Sequence, residues 1–373
     1  MIYLDNAATG GIKPNSVVSA VQAALKFCAN PGRSGHKLSL AASERVLACR
    51  NRLSDLFSGY GFERVIFTKN CTEALNIALL GTLKEGDHVI ATALEHNSVL
   101  RPLEFLKQKG IIEYSIAPLT DGKVLPESVA ALVKENTRLC AVTTASNVTG
   151  TIPDLAAIRA LLPERVLLLA DGAQGAGHIP ISMKETGIDL LALAGHKGLH
   201  AIQGAGALLF SERVNPAPLL FGGTGSESYS LSMPEFYPDR LESGTLSYPA
   251  VVSLFEGALI AKCRLKEHGA TLTKLSDAFL NGLRECKGFV AYSEPNPCGI
   301  VAFRHETLPS EEIAMRLDER GICVRGGLQC APLAHKALGT FPDGLVRVSF
   351  SPFQSLREVR ETLRVLKFIS ISI

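Results

Sequence analysis

The sequence lacks several features that would point to a particular class of protein. Its 373 residues carry 38 Lys and Arg against 36 Asp and Glu, and no basic run interleaved with aromatics indicates a nucleic-acid surface. No apolar run is long enough to cross a membrane. The opening MIYLDNAATGG has no charged stretch followed by an apolar one, as a secretory signal has. We therefore expect a cytoplasmic protein that binds a small molecule or a protein, with neither nucleic acid nor membrane as a partner.

The nine cysteines form no CxxC pair and are odd in number, which argues against a disulfide framework and against a structural zinc site. We predict no metal centre. Most of the cysteines lie in or beside apolar stretches and are predicted to be small buried hydrophobes. This group consists of Cys28, Cys49, Cys71, Cys140, Cys263, Cys286, Cys298 and Cys323. Cys330 differs because it lies in RGGLQCAP, a glycine-rich, proline-terminated stretch that is typical of a loop.

What the chain does contain is a hydrophobic content of 46% and a regular alternation of short apolar runs with longer amphipathic segments. This alternation predicts an α/β fold with a mostly parallel sheet sandwiched by helices. The runs are continuously apolar, as strands covered on both faces are. The predicted strands are residues 64–68, 88–92, 139–144, 166–170, 190–194 and 206–210.

The rhythm changes after about residue 250 to one long helix, followed by the apolar runs GIVAFRHE, GICVRGG and VRVSF with helices between and after them. We predict a large domain over residues 14–250. A smaller α/β domain would comprise residues 1–13 and 251–373 and would carry Cys330 and Arg347.

Polar side chains follow four of the predicted strands. His96 comes after the second, Asn147 after the third, Asp171 and Gln174 after the fourth, and the pair His196–Lys197 after the fifth. Ligands of open parallel sheets bind at the carboxyl ends of the strands. Any one of these residues alone has an ordinary explanation as a loop residue or a helix cap. Four strands that deliver polar residues to one edge indicate a binding site.

The residue types suit pyridoxal 5'-phosphate (PLP). A partly desolvated Lys197 has a lowered pKa and can react with an aldehyde as a Schiff-base nucleophile. Asp171 could hold the pyridine nitrogen protonated, which strengthens the ring as an electron sink. Gln174 could reach the phenolic oxygen, and His96 could lie on the ring face. A dinucleotide is a weaker alternative because no GxGxxG follows a first strand.

The phosphate of such a cofactor needs backbone donors at the start of a helix. The stretch KNCTEALN follows the first predicted strand, and Cys71 and Thr72 open the helix there. The free N–H groups and the dipole of a helix N-terminus suit an anion.

Taken together, the motifs resemble the class V aminotransferase family of PLP enzymes, and within it the cysteine desulfurase and selenocysteine lyase group. The resemblance runs almost end to end and rests on YLDNAAT, NPGRSGHKLS, TEALN, EHNSVLRP, SNVTGTIPDL, DGAQGAGHIPI, GHKGLH, ESGT, RGGLQCAP and VRVSF. It implies the type I fold of PLP-dependent transferases.

The resemblance also implies a role for each candidate residue. Lys197 would hold PLP covalently, Asp171 and Gln174 would bind its ring, and His96 would stack on it and shuttle protons. Thr72 and His196 would bind the phosphate, and Thr245 of ESGT would reach the cofactor of the neighbouring subunit in a homodimer. Asn147 and Arg347 would hold the substrate carboxylate, Arg347 through a bidentate fork. Arg325 is a further candidate for substrate binding, and beside Cys330 it would favour a thiolate.

Cys330 would be the nucleophile that takes sulfur from L-cysteine as a persulfide and leaves L-alanine. The sulfur would then pass to an acceptor, which could be a protein. Selenocysteine lyase, or another class V reaction such as transamination that does not use Cys330, is an alternative. A binding subunit that has kept the fold without turnover is another.

Two positions depart from the family pattern. Ala194 stands two residues before the His-Lys pair, where a phosphate-binding serine is common, so one phosphate contact is expected to be missing. Leu328 and Gln329 precede Cys330, where the closest subgroup usually has two histidines. The short loop that leads directly into Ala331 and Pro332 is similar to that of the SUF-type desulfurases and selenocysteine lyases.

Overall fold

The structure is a computed structural model and describes residues 1–32 and 34–371. Its strands are β1 (Ile2–Tyr3), β2 (Val65–Thr68), β3 (Asp87–Thr92), β4 (Ile112–Ala117), β5 (Leu119–Thr120), β6 (Lys123–Val124), β7 (Thr137–Thr143), β8 (Leu167–Asp171), β9 (Leu190–Ala194), β10 (Gly206–Phe210), β11 (Phe289–Ala291), β12 (Ile300–His305), β13 (Ile322–Cys323) and β14 (Val346–Ser349).

Helices connect and flank these strands. They are α1 (Asn15–Lys26), α2 (Lys37–Leu56), α3 (Cys71–Thr82), α4 (Asn97–Gln108), α5 (Pro126–Ala130), α6 (Leu155–Leu161), α7 (Met183–Thr186), α8 (Tyr248–Leu283), α9 (Ser310–Asp318), α10 (Pro332–Ala337) and α11 (Leu356–Ile371), with 3-10 turns at Phe62–Arg64 and Asp239–Leu241.

The central sheet has seven strands in the order β2-β10-β9-β8-β7-β3-β4. All neighbouring pairs from β9 to β4 are parallel, and only β10 runs antiparallel to its neighbours β9 and β2. The predicted α/β fold with a mostly parallel sheet is confirmed. Each of the six predicted strands has its counterpart here, with ends that agree to within two residues.

Both faces of the sheet are covered, which explains why its strands are continuously apolar. In β8, Leu168 and Ala170 point into one hydrophobic cluster together with residues of α2, α6 and α8. Leu167 and Leu169 point into the cluster on the opposite face, which contains residues of α3 and α4. The sheet is therefore the middle layer of three.

The helix α8 links this core to a second one. Its first half, from Ala250 to Ala261, contributes to the large cluster beside the central sheet. Its second half, from Leu272 to Leu283, packs in a separate cluster with the antiparallel sheet β11-β12-β14. At the N-terminus, β1 pairs in parallel with β13. The helix runs without interruption across residue 250, and the domain division at that point stays a prediction.

Two of the cysteine predictions are wrong. Cys28 and Cys263 are exposed, and Cys323 is half-buried. Cys28 follows the end of α1, and Cys263 lies on an outward face of α8. Apolar neighbours in the sequence do not determine which face of a helix a residue occupies, because the helical period places adjacent residues on different sides. Within the described ranges, no helix combines the length and the apolar character needed to cross a bilayer.

Candidate active site

The polar residues predicted from the strand ends do meet at one edge of the sheet. His96 follows β3, Asn147 follows β7, Asp171 ends β8, and Lys197 follows β9. They line one cavity. The other predicted residues that line it are Cys71, Thr72, Gln174 and His196.

Lys197 and Asp171 dominate the electrostatics of the cleft. Burial lowers the pKa of Lys197, and the negative charge of Asp171 opposes this shift. Asp171 is 3% exposed, and its Oδ1 accepts hydrogen bonds from the backbone N–H of Ala173 at 2.9 Å and from the thiol of Cys71 at 3.4 Å. Burial and the nearby Asp171 raise the pKa of Cys71, so its thiol stays protonated and acts as a donor. Among residues 1–32 and 34–371, both of these hydrogen bonds go to Oδ1, which leaves Oδ2 for a bound group.

His96 has a defined tautomer. It caps α4, and its Nδ1 accepts a hydrogen bond from the backbone N–H of Ser98 at 3.0 Å. Burial lowers the pKa of His96, so the ring is neutral near pH 7. With Nδ1 serving as the acceptor, the ring proton belongs on Nε2. The imidazole can therefore exchange protons only through Nε2.

Two helix N-termini meet at one end of the cleft. Cys71 begins α3 and Asn97 begins α4, and the hydroxyls of Thr72 and Ser98 lie 2.8 Å apart. The backbone N–H groups of Cys71 and Thr72 at the start of α3, the dipole of that helix and these two hydroxyls make this end suitable for a phosphate, whereas the first N–H groups of α4 are already engaged. Sequence reasoning missed Ser98, although it stands in the motif EHNS directly after the cap of α4.

The N-terminal segment holds two residues of the cleft, His196 and Gln174, by hydrogen bonds. The backbone carbonyl of His196 accepts hydrogen bonds from the N–H of Gly10 at 2.9 Å and from Nζ of Lys13 at 3.1 Å. The ring nitrogen Nδ1 of His196 lies 3.1 Å from the hydroxyl of Thr9. Burial lowers the pKa of His196 to about 4 and that of Lys13 to about 8. The amide nitrogen of Gln174 donates to the Ala7 carbonyl at 3.0 Å. Thr9 and Lys13 were not singled out in the sequence because no strand end places them beside His196.

Arg347 is buried in the protein, with 1% of its surface exposed. Its Nη1 donates to the carbonyl of Asn147 at 2.9 Å, and its Nη2 pairs with Oδ1 of Asp5 at 2.7 Å. Both terminal nitrogens of the guanidinium are thus engaged within the protein. The role of Arg347 in binding a substrate carboxylate stays a prediction, and Asp5 is a neighbour that the sequence did not reveal.

Asn147 offers the cleft an acceptor. Its Nδ2 donates to the backbone carbonyl of Gln329 at 2.7 Å. Its buried Oδ1 has no hydrogen-bond partner within residues 1–32 and 34–371. An unpaired buried acceptor is costly unless a bound group satisfies it. In this orientation Asn147 suits a donor on a ligand better than it suits a carboxylate.

The loop that carries Cys330 is attached to the cleft. The backbone N–H of Asn97 donates to the Cys330 carbonyl at 2.8 Å, and Asn147 holds the preceding carbonyl of Gln329. The thiol itself is exposed, with Nη2 of Arg325 at 3.7 Å from its Sγ. Cys330 and Arg325 therefore stand together at the rim of the site.

Thr245 lies away from this cleft. It is exposed and lines a different cavity, together with Phe67, Lys69 and Leu254. This position is compatible with the expectation that Thr245 serves the cofactor of a partner subunit, which stays a prediction.

Glu95 is a buried carboxyl group beside the site that sequence reasoning passed over. Its Oε1 accepts from the Thr92 hydroxyl at 2.7 Å and from the backbone N–H of Thr143 at 2.9 Å. Burial raises the pKa of Glu95 to about 8. Glu95 is therefore mostly protonated at neutral pH, which leaves Asp171 as the negative charge of the cleft.

These features fit PLP. A desolvated lysine faces a buried carboxylate, the N-terminus of α3 and the hydroxyls of Thr72 and Ser98 suit the phosphate, and Asn147 Oδ1 is an acceptor with no partner in the described chain. Fold and site together define the class of PLP-dependent enzymes with the type I fold.

Comparison with known proteins gives the family. The profile of the family "Aminotransferase class-V" matches residues 2–361, and the chain belongs to this family. It is 32% identical to a probable cysteine desulfurase of Methanothermobacter thermautotrophicus, over 96% of this chain and 92% of that protein.

Two solved structures are similar over nearly the whole chain. The apo structure of a cysteine desulfurase from Thermococcus onnurineus has a TM-score of 0.93 at 31% identity, covering 100% of this chain and 95% of the other. The cysteine desulfurase CsdA of Escherichia coli has a TM-score of 0.88 at 26% identity, covering 99% and 94%.

Proposed function

We propose that this protein is a PLP-dependent cysteine desulfurase, which converts L-cysteine to L-alanine and takes the sulfur onto Cys330 as a persulfide. The similar proteins named above are cysteine desulfurases and match almost from end to end. The observation that carries the assignment to Cys330 is the attachment of its loop to the cofactor cleft through Asn97 and Asn147.

Different residues of the cleft would contact different parts of the cofactor. Lys197 would hold PLP, Asp171 and Gln174 would contact its ring, and the N-terminus of α3 with the hydroxyls of Thr72 and Ser98 would bind its phosphate. Bound PLP supplies an electron sink that weakens the Cα–H and Cβ–S bonds of an amino acid. Ala194 lies in the wall of the cleft and offers the phosphate no hydroxyl. Thr72 and Ser98 provide hydroxyl groups at the helix N-termini instead.

The chain's own residues then move the protons and the sulfur. Because burial lowers the pKa of Lys197, its amine is neutral part of the time and can take the proton from the substrate Cα. His96 can exchange a proton at Nε2 with the substrate sulfur.

Sulfur transfer forms one bond and breaks another. The Cys330 thiolate forms an S–S bond with the substrate sulfur while the substrate Cβ–S bond breaks. The electron pair of that bond stays with carbon, which gains a proton and becomes the methyl group of alanine. The carbon is reduced and the sulfur pair on Cys330 is oxidised to the persulfide level. The guanidinium of Arg325 lies 3.7 Å from the attacking Sγ of Cys330.

The proposal also covers the oligomeric state, the sulfur acceptor and the cellular compartment. A homodimer would bring Thr245 to the cofactor of the neighbouring subunit. A sulfur acceptor, such as a protein with its own thiol, would collect the persulfide sulfur at the exposed Cys330. The free, unpaired cysteines of the chain suit a reducing compartment such as the cytoplasm.

The experiment that tests this function is alanine release from L-cysteine in the presence of a reductant. The holoenzyme should release alanine, and Lys197→Ala and Cys330→Ser should not. Cys263→Ser is the matched control, since it removes an exposed thiol on α8 and should leave turnover unchanged. Full turnover by Cys330→Ser would contradict the persulfide on Cys330, and PLP binding without alanine release by the wild type would contradict the reaction.

A further inference from the structure

The backbone at the proposed nucleophile is held in an unusual conformation. Gln329 and Cys330 have φ values of 43° and 59°, in the left-handed region that residues other than glycine rarely adopt. Such a conformation persists only where the surroundings impose it. The hydrogen bonds from Asn97 and Asn147 hold the two carbonyl groups, but they do not by themselves fix the side of the loop that faces away from the cleft.

The side chain of Gln329 fixes the side of the Cys330 loop that faces away from the cleft. It is 2% exposed, and its Nε2 donates to the Leu345 carbonyl at 2.9 Å. This bond orients the amide so that Oε1 points to Nε2 of His335, at 3.0 Å. The amide therefore ties the residue before Cys330 to the segment before β14 and to α10.

His335 is fixed in turn. It is fully buried, and its Nδ1 lies 2.8 Å from the hydroxyl of Thr340. Because Gln329 presents an acceptor oxygen, His335 must donate from Nε2, and Nδ1 is left to accept from Thr340. Burial lowers the pKa of His335 to about 4, which agrees with a neutral ring.

We propose that Gln329 and His335 are positioning residues, which hold Cys330 beside Arg325 through the hydrogen bond between Gln329 Oε1 and His335 Nε2. The inference rests on the proposed function for its catalytic meaning, although its effect on the Cys330 thiol can be measured without any turnover. It gives a role to Gln329, one of the two residues at which the loop departs from the family pattern.

Two substitutions at residue 335 separate this hydrogen bond from simple packing. The amide nitrogen of glutamine can stand where Nε2 of histidine stands, so His335→Gln keeps a donor toward Gln329. Asparagine is one methylene shorter and reaches only the Nδ1 position, so His335→Asn keeps the contact with Thr340 and loses the contact with Gln329. If the side chain at position 335 only filled space, His335→Gln and His335→Asn would not differ in this way.

The readout is alkylation of the holoenzyme by iodoacetamide without substrate, followed cysteine by cysteine with peptide mass spectrometry. Cys28 and Cys263 are exposed thiols of the same molecule and serve as internal references. In the wild type, Cys330 should react faster than both because the Arg325 guanidinium lies 3.7 Å from its Sγ. His335→Asn and Gln329→Leu should lower the ratio of Cys330 labelling to reference labelling by roughly tenfold, the effect of losing one buried hydrogen bond.

His335→Gln should keep the wild-type ratio, as should Gln354→Leu. The latter removes another buried glutamine, whose hydrogen bonds to the Ser351 N–H and the Tyr3 carbonyl lie outside the Cys330 loop. In the alanine assay, His335→Asn should lower kcat with KM and PLP content unchanged. An unchanged or raised ratio in both His335→Asn and Gln329→Leu would overturn the inference, as would equal losses in His335→Gln and His335→Asn. If the wild type releases no alanine, the proposed function fails while the labelling ratios still decide the role of Gln329 and His335.

Discussion

Loss of Glu242 should be one of the most destabilising single changes in this chain. Glu242 and Arg50 form a two-pronged ion pair, with N–O distances of 2.8 and 2.5 Å and side chains each 6% exposed. The Glu242 carboxylate also accepts from the Phe67 N–H at 2.6 Å. Glu242→Ala leaves the Arg50 guanidinium buried without a counter-ion, which costs about 3–5 kcal/mol.

Urea unfolding of the holoenzyme at one fixed protein concentration measures this cost. The matched control is Glu312→Ala, which breaks a half-exposed pair with Arg316 at 2.6 Å and should cost about 0.5 kcal/mol or less. The double variant Arg50→Met/Glu242→Leu should be more stable than Glu242→Ala, because it buries no unpaired charge. A loss below about 1 kcal/mol for Glu242→Ala would refute the reasoning from burial.

Two further predictions concern titratable groups of the cleft. Asp171→Asn removes the negative charge that raises the pKa of Lys197, so the pKa of Lys197 should fall further. In cofactor-free protein, acylation of Lys197 at neutral pH, measured against exposed lysines, should therefore become faster. An unchanged rate would contradict the electrostatic interaction between Asp171 and Lys197. Glu95 has a folded-state pKa raised from 4.5 to about 8, so its contribution to stability is fully present below pH 4.5 and is lost as the pH rises through 8. Glu95→Gln should therefore gain stability relative to the wild type between pH 5 and pH 8 in urea unfolding, and a difference that does not change with pH would show that the carboxyl group is not protonated in the folded state.

Much of the central sheet could be predicted because its strands are buried on both faces. Runs such as LLALA and VLLLA have no polar position that would suit solvent, and they appear as β9 and β8. The strand β4 escaped prediction because it lies at the edge of the sheet and alternates apolar residues with Glu113 and Ser115. The reversed direction of β10 also escaped, since a buried strand has the same composition in either direction.

The core of the candidate site was predictable for a topological reason. The carboxyl ends of parallel strands lie at the same edge of a sheet. Correct strand predictions therefore bring the residues that follow them together, namely His96, Asn147, Asp171 and Lys197. Contacts made across the fold left no such signal. The pair Asp5–Arg347 joins residues 342 positions apart, and the link between Gln329 and His335 depends on how the loop turns back on α10. Sequence spacing does not encode either contact.

The most direct test of the central claim is to find the transferred sulfur on the protein. The holoenzyme is incubated with L-cysteine that carries a heavy sulfur isotope, without reductant, then alkylated, digested and examined by mass spectrometry. The peptide containing Cys330 should gain one labelled sulfur atom, and this gain should disappear in Lys197→Ala. Labelled sulfur on another cysteine, or alanine formed while Cys330 carries none, would contradict the account.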